Sequence, residues 1–336
     1  MRYALLVSPS SNRVYAQSAP ALAAAELLAV GQRVLGGALA NVEQATFGSV
    51  DYVTFDLAEL SELARGWLSN LAATFALFGL EEDGRLLPLT LDRWDQLPSD
   101  LITIQKYSGK TNEAFTKLLL NVTLAASAFA TERRPLSVLD PLCGRGTTLN
   151  QALSYGFHAT GVEVDKKDFE AYALFIQRWV KDHRLKHNAV QGSVKGNPKL
   201  DLELGVTKER FKAGDTLRLT YVSADTHAIA QVFQPRSFDL IVTDAPYGVQ
   251  HGAHSGPDTA RKPQELLQTA LPVWRGALRP GGAIGIAWNQ LVLRRTELAR
   301  MLQEAGLEVC EFPQTFEHRV DSSIARDLIV ARLTSR

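Results

Sequence analysis

The sequence predicts an α/β protein: a doubly wound, mostly parallel sheet behind a smaller N-terminal α/β domain. Three observations carry this. From about residue 102 onward, short apolar runs alternate with helical patterns and glycine-containing turns, the rhythm of a parallel sheet. Several of those runs end in an acid or lead straight into a glycine turn, as strands do at the ligand-binding edge of such sheets. Before residue 97 the rhythm is different, and the break at Leu97-Pro98-Ser99 reads as a boundary between domains at 1–97 and 98–336. The second of these is expected to be Rossmann-like.

Each element follows from its own pattern. In the first part, β-branched or alternating runs at 3–8, 52–55 and 74–78 read as strands, helical patterns fall at 21–30 and 57–68, and Glu82-Asp83-Gly84 closes a hairpin-like turn. In the second part, 111–130 is a long helical pattern and 136–140 a short apolar strand, with a helix opening at Thr147. A strand at 158–165 is followed by a helix through about Lys181, and further strands fall at 217–224 and 238–243. Residues 263–278 read as a helix kinked at Pro272. A turn at 279–282 leads to a strand at 283–288, and a helix at 294–304 has Gly306 past its end. The runs at 309–312 and 327–332 look like a closing pair that sets an antiparallel strand at one edge.

Composition narrows the function. A chain of 336 residues can bury two cores, and 46% apolar against 21% charged residues excludes a disordered chain. Two cysteines, Cys143 and Cys310, are too few for a disulfide framework or a zinc cluster, so no metal is expected. Residues 1–10 lack a basic segment followed by an apolar run, and the apolar stretch 21–30 contains Glu26 and is too short to span a bilayer. A cytoplasmic protein without membrane contact is expected, its oligomeric state left open. A formal net charge of zero means that any nucleic-acid surface must be a local patch balanced elsewhere.

The chemistry concentrates at the predicted strand ends. Asp140 is followed by Pro141-Leu142-Cys143-Gly144-Arg145-Gly146 and a helix starting at Thr147. Glycines at 144 and 146 let the backbone approach a ligand, and the helix start offers free N–H groups to a carboxylate. Asp140 can accept from an ammonium group. A loop suited to both charges suits an amino-acid moiety, which favours S-adenosyl-L-methionine over a dinucleotide; the plain alternative is a turn that packs a helix closely. Glu163, about twenty residues on, can bond ribose hydroxyls, with Asp165 capping the next helix. Asp225 can accept from an adenine amine or cap the turn before His227-Ala228.

The sharpest signal is the strand 238–243 running into Asp244-Ala245-Pro246-Tyr247. An exocyclic base amine is a weak nucleophile because its lone pair is delocalised into the ring. A carboxylate and a backbone carbonyl that accept its two N–H bonds localise that pair. Asp244 and the Ala245 carbonyl suit those roles, with Pro246 fixing the backbone and Tyr247 stacking on an unstacked base. The alternative is an ordinary Asp-x-Pro turn with Tyr247 in the core.

With Asp140-Pro141-Leu142-Cys143-Gly144-Arg145-Gly146-Thr147 and Asp244-Ala245-Pro246-Tyr247 together, the chain from about residue 102 to the C-terminus resembles the class I amino-methyltransferases. Within them it is most similar to tRNA guanine-N2 methyltransferases that carry an N-terminal THUMP domain. One departure is Ala245, where that family usually has a second proline. The stretch from Thr111-Asn112-Glu113 through Asn121 is similar to the family's helix before the cofactor loop. The resemblance implies that Asn121 and Cys143 join Asp140, Gly144, Gly146, Thr147, Glu163 and Asp225 around S-adenosyl-L-methionine. It also implies RNA, guanine N2 of tRNA, as substrate. DNA adenine-N6 or cytosine-N4 methylation and a catalytically inactive RNA-binding protein are the rivals. Between the second and third strands, Lys181, Arg184, Lys186, Lys195, Lys199, Lys208, Arg210 and Lys212 form either a phosphate-contacting surface or a flexible, solvated excursion.

Overall fold

The computed structural model describes residues 1–10, 12–107, 109–132, 134–246 and 263–334. The first elements are β1 (Arg2–Val7), α1 (Arg13–Arg33), β2 (Leu39–Phe47), β3 (Val50–Leu57), α2 (Glu62–Asn70), β4 (Thr74–Leu80) and β5 (Leu86–Leu89). They build a five-stranded sheet in the order β2-β3-β1-β4-β5 with every neighbour antiparallel. The first four strands and two helices are a split β-α-β arrangement of the ferredoxin-like kind, in which β3 sits between the two strands that α1 connects. β2 was not expected. It is an edge strand with mostly exposed side chains, so its sequence carries no apolar alternation. Residues 57–68 were expected to be helical; instead β3 runs to Leu57, and α2 begins at Glu62 with the Ser61 hydroxyl capping the Ala64 amide at 3.2 Å.

The second sheet is built from β6 (Ser137–Asp140), β7 (His158–Glu163), β8 (His187–Val194), β9 (Asn197–Leu204), β10 (Leu217–Ser223), β11 (Phe238–Asp244), β12 (Leu278–Asn289), β13 (Glu308–Val309) and β15 (Ala325–Arg332), with β14 (His318–Arg319) paired to β15. The helices are α3 (Asp100–Thr103), α4 (Glu113–Ala126), α5 (Thr147–Ser154), α6 (Lys166–Asp182), α7 (Lys208–Lys212), α8 (Ile229–Val232), α9 (Pro263–Ala277) and α10 (Arg295–Glu304). The strand order is β13-β15-β12-β11-β6-β7-β10-β9-β8. β12, β11, β6, β7 and β10 are parallel, and β15 runs antiparallel between β12 and β13. The chain leaves β6 outward through β7 and β10, then returns to β11 on the other side. This is the Rossmann-like, doubly wound sheet expected from the sequence, with its switch point between β6 and β11.

The basic segment after α6 is ordered: β8 and β9 pair antiparallel and extend the sheet beyond β10, and α7 follows them. Two of its cations are held within the chain, Lys199 by Asp201 at 2.7 Å and Arg210 by Asp215 at 2.6 Å. Among the described residues, no helix is long and apolar enough to cross a membrane.

At the amino ends of β6 and β11, the buried Asp239 carboxylate accepts from Arg134, Arg279 and the Ser137 amide at 2.7–2.9 Å. Burial pulls its carboxyl up, but these donors outweigh that and hold it below the usual carboxylate range. A second buried acid joins the two sheets. Glu26 of α1 is fully buried and accepts from the Asn121 side chain on α4 at 2.7 Å and from the Ala72 amide at 2.9 Å. Asn121 also donates to the Asn70 carbonyl at 2.9 Å and accepts from the Tyr155 hydroxyl at 2.9 Å.

The expectation that Asn121 contacts the cofactor is therefore corrected: it is fully buried and bonded to the first sheet's helices. Helical geometry is the reason. Two positions past Leu119, Asn121 is turned about 200° around α4, away from the face that carries Phe115, Thr116 and Leu119.

Burial pushes the Glu26 carboxyl up to about 7 against the pull of Asn121 and the Ala72 amide. The folded chain thus holds this proton more tightly than the unfolded one. Its contribution to stability is complete below about 4.5 and is lost as pH rises through about 7, a loss on the order of 3 kcal/mol. We predict that thermal unfolding of the Glu26→Gln variant falls less steeply between these pH values than that of the wild type. Parallel profiles for the two proteins would contradict the assignment.

Candidate active site

β6 ends at Asp140, and the turn that follows delivers the chain to α5. Gly144 and Gly146 hold positive φ, +47° and +77°. At Gly146 a side chain is excluded twice over, because a Cβ there would also lie 2.3–2.7 Å from the ring of Tyr172. The turn is pinned from below. Gly144 donates its N–H to the Glu163 carboxylate at 2.9 Å, its carbonyl accepts from the Tyr221 hydroxyl at 2.6 Å, and the Cys143 amide donates to the Val162 carbonyl at 3.1 Å.

Asp140 is 3% exposed, and its Oδ1 accepts from the Leu142 amide at 3.1 Å. Burial pushes its carboxyl up to about 7, a rise that the neighbouring Thr243 and Thr148 hydroxyls moderate and the charge of Asp244 increases. Cys143 is buried, and burial raises its thiol well above the usual range, which marks a packing residue and not a nucleophile.

Asp244 is the last residue of β11. Its Oδ2 accepts from the Thr111 hydroxyl at 2.5 Å and lies 3.9 Å from the Arg326 guanidinium. The next residue, Ala245, is buried and donates its N–H to the Ala287 carbonyl at 2.8 Å, so pairing with β12 continues one step past the strand end. A proline at 245 would lack that donor. Alanine here replaces one constraint on the peptide with another. Pro246 is exposed at the rim. Tyr247 lies outside the described residues.

The structure brings Asp140, Cys143, Gly144, Thr147, Asp244, Ala245 and Pro246 to the wall of one cavity of about 300 Å³. Besides Asn121, three expected residues stand apart from it. Gly146 sits over Tyr172. Glu163 gives one oxygen to the Gly144 amide and the other to the Asp165 amide at 2.8 Å, so it holds the turn itself. Asp225 takes the alternative role and caps the short 3-10 turn Thr226–Ala228, accepting from the His227 amide at 2.9 Å and from its ring.

The site also contains residues to which the sequence reading gave no role, Thr111 and Tyr107 on the cavity wall and Arg326 beside Asp244. Thr111 immediately precedes the α4 cap Asn112, whose side chain accepts from the Ala114 and Phe115 amides at 3.0 and 3.2 Å. That capping pattern was the signal that could have placed Thr111 at the helix entry. Tyr107 bonds the Thr147 hydroxyl at 3.1 Å and lies under the Arg145 guanidinium, which pairs with Asp168 at 2.8 Å. For Arg326 the available signal was a charge inside an otherwise apolar closing strand.

No protein-family model and no curated protein sequence matches the chain. Among solved structures it is similar to the 1,6-didemethyltoxoflavin-N1-methyltransferase of Burkholderia thailandensis, with 18% identity over 67% of this chain and 80% of that one and a TM-score of 0.38. It is also similar to a methyltransferase from Pyrococcus furiosus (15% identity, 68% and 88% covered, TM-score 0.39) and to a ribosomal protein L11 methylase from Lactobacillus delbrueckii subsp. bulgaricus (13%, 66% and 80%, 0.37). The strand order and register described above are what make the fold a Rossmann-like one.

The double exclusion at Gly146 is testable. Gly146→Ala is expected to destabilise the protein by roughly 2–4 kcal/mol in urea unfolding. In a Tyr172→Leu background the same change should cost only about 1–2 kcal/mol, the left-handed backbone penalty that remains once the ring is gone. Equal losses in both backgrounds would show that the ring contact is unimportant.

Proposed function

We propose that the protein is an S-adenosyl-L-methionine-dependent methyltransferase that modifies an exocyclic amino group of a nucleic-acid base, guanine N2 in tRNA being the substrate that the sequence resemblance implies. The observation that carries this reading is the meeting of Asp140 and Asp244 in one cavity at the carboxyl ends of β6 and β11, beside a glycine turn and the start of a helix. The residues present suit the cofactor. A Cβ on Gly144 would meet open space, Asp140 offers a buried acceptor for an ammonium group, and the first amides of α5 offer donors for a carboxylate.

When bound, S-adenosyl-L-methionine supplies an electrophilic methyl group on a cationic sulfur. The chain's own part is positioning. Asp244 accepts an N–H of the target amine and draws its lone pair out of conjugation, and the Ala245 carbonyl accepts the other. The same carboxylate can take the proton that the amine must shed. Thr111 holds the carboxylate in one rotamer, and Phe115 and Leu119 keep that end of the cavity dry. Residues 98–336 form the catalytic part in this proposal, and 1–97 help to recognise the RNA.

Asp244→Ala should lower methyl transfer to unmodified tRNA roughly a hundredfold or more while cofactor affinity stays within about threefold. Because burial pushes the Asp140 carboxyl up to about 7, a cationic ammonium favours its ionised form. Calorimetry should therefore show affinity for S-adenosyl-L-methionine rising between about pH 6 and 7.5, and a weaker, flatter profile in Asp140→Asn. Nucleoside mass spectrometry of tRNA, rRNA and DNA from cells with and without the protein decides the substrate. Loss of a mark from DNA would replace RNA by DNA, and loss of none would refute the activity.

A further inference from the structure

We infer that Arg326, on the antiparallel strand β15, is a positioning residue whose buried guanidinium holds the Asp244 carboxylate in place and directed into the cavity. This inference rests on the role proposed for Asp244 and adds to it the group that fixes that acid in place.

The register explains how a residue 82 positions further along the chain reaches Asp244. Asp244 pairs with Ala287 of β12, Ala287 pairs with Leu328 of β15, and Asn289 pairs with Arg326. Paired residues share a face, and residues two apart on one strand share it too. Arg326 therefore projects from the same face as Asp244, two strands across and one step up. That separation matches the length of an arginine side chain, and the Nη2 to Oδ2 distance is 3.9 Å.

The surroundings favour a charge effect. Arg326 is 6% exposed, and its guanidinium lies 4.9 Å from the centre of the Phe115 ring on α4. Among the described residues, two titratable groups packed in the same layer are uncharged near neutral pH. His318 of β14, packed on the same Phe115, is pushed down to about 4 by burial. Tyr15 of α1, whose ring meets His318 edge-on, has its hydroxyl pushed up by burial. The neighbouring Asp327 is held by Arg295 at 2.8 Å. On its other side Asp244 shares the cavity with Asp140, whose carboxyl its charge helps to push up. The guanidinium answers that repulsion. A planar cation is required because the same group must also lie on an aromatic face.

The test uses the full chain carrying 13Cγ-labelled aspartate, with Asp244→Asn used to identify the Asp244 resonance. In Arg326→Gln the titration midpoint of that resonance should move to higher pH, and Arg326→Lys, which keeps charge without the plane, should return it part of the way. In methyl-transfer assays, Arg326→Gln should lower kcat roughly tenfold or more with KM for S-adenosyl-L-methionine unchanged, and the acidic limb of its pH–rate profile should move up. An unmoved Asp244 midpoint in Arg326→Gln overturns the inference, and so does an equal loss of kcat in both variants with an unmoved pH profile. If the wild type transfers no methyl group to any base, the proposed function fails, while the resonance titration still decides the coupling of Arg326 to Asp244.

Discussion

Two carboxylates at neighbouring strand tips, one deeply buried and both facing one small cavity, are the constraint around which this half of the molecule is arranged. Bringing like charges together out of water raises the free energy of both ionised forms, and the structure answers each differently. Asp140 accepts from the Leu142 amide, and its carboxyl rises to about 7, which leaves it responsive to a cationic ligand. Asp244 has a hydroxyl from the helix entry and a guanidinium from a strand two across on the same face of the sheet. The asymmetry matches the division of labour proposed for the site, one acid meeting a cation and the other gripping an amine. At the opposite ends of β6 and β11, Asp239 is saturated by two guanidiniums and an amide, so it fastens the strands and offers nothing to a ligand.

The first sheet is tied to the second through the same helix that lines the cavity. One face of α4 carries Phe115, Thr116 and Leu119 toward the site, and the other buries Asn121 against Glu26, Asn70 and Tyr155. Tyr15 of α1 reaches the layer behind Phe115, where it meets His318. A displacement of α1 would therefore be felt at the wall of the cavity through packed side chains. Buried polar bonds of this kind tolerate little slack, because a separated Glu26 and Asn121 would each lose a partner where no water can replace it.

The two halves of the chain were not equally legible. In the second sheet, apolar runs between glycine turns marked β6, β7, β10, β11 and β12, because buried parallel strands are apolar on both faces. Edge strands gave no such signal: β2 and β8 expose most of their residues, and the segment containing β8, read as either a phosphate-contacting surface or a flexible excursion, forms an ordered hairpin. Asp140 and Asp244 were visible as acids at strand ends. Thr111 and Arg326, which hold Asp244, were not. Asn121 was assigned to the cofactor by the resemblance of its helix to the family's, although it occupies the other side of α4 from the cavity.

What the sequence determined by itself is local: where strands alternate with helices, where a turn needs glycine, and which strands end in an acid. These features depend on the steric and hydrophobic preferences of a few consecutive residues, which the chain carries with it before it folds. Only the tertiary structure decided which distant groups answer those acids. Thr111 meets Asp244 across 133 positions, and Glu26 meets Asn121 across 95. Such meetings depend on strand register and on the rotation of a helix about its axis, quantities set by the packing of the whole core and by no short stretch of the chain.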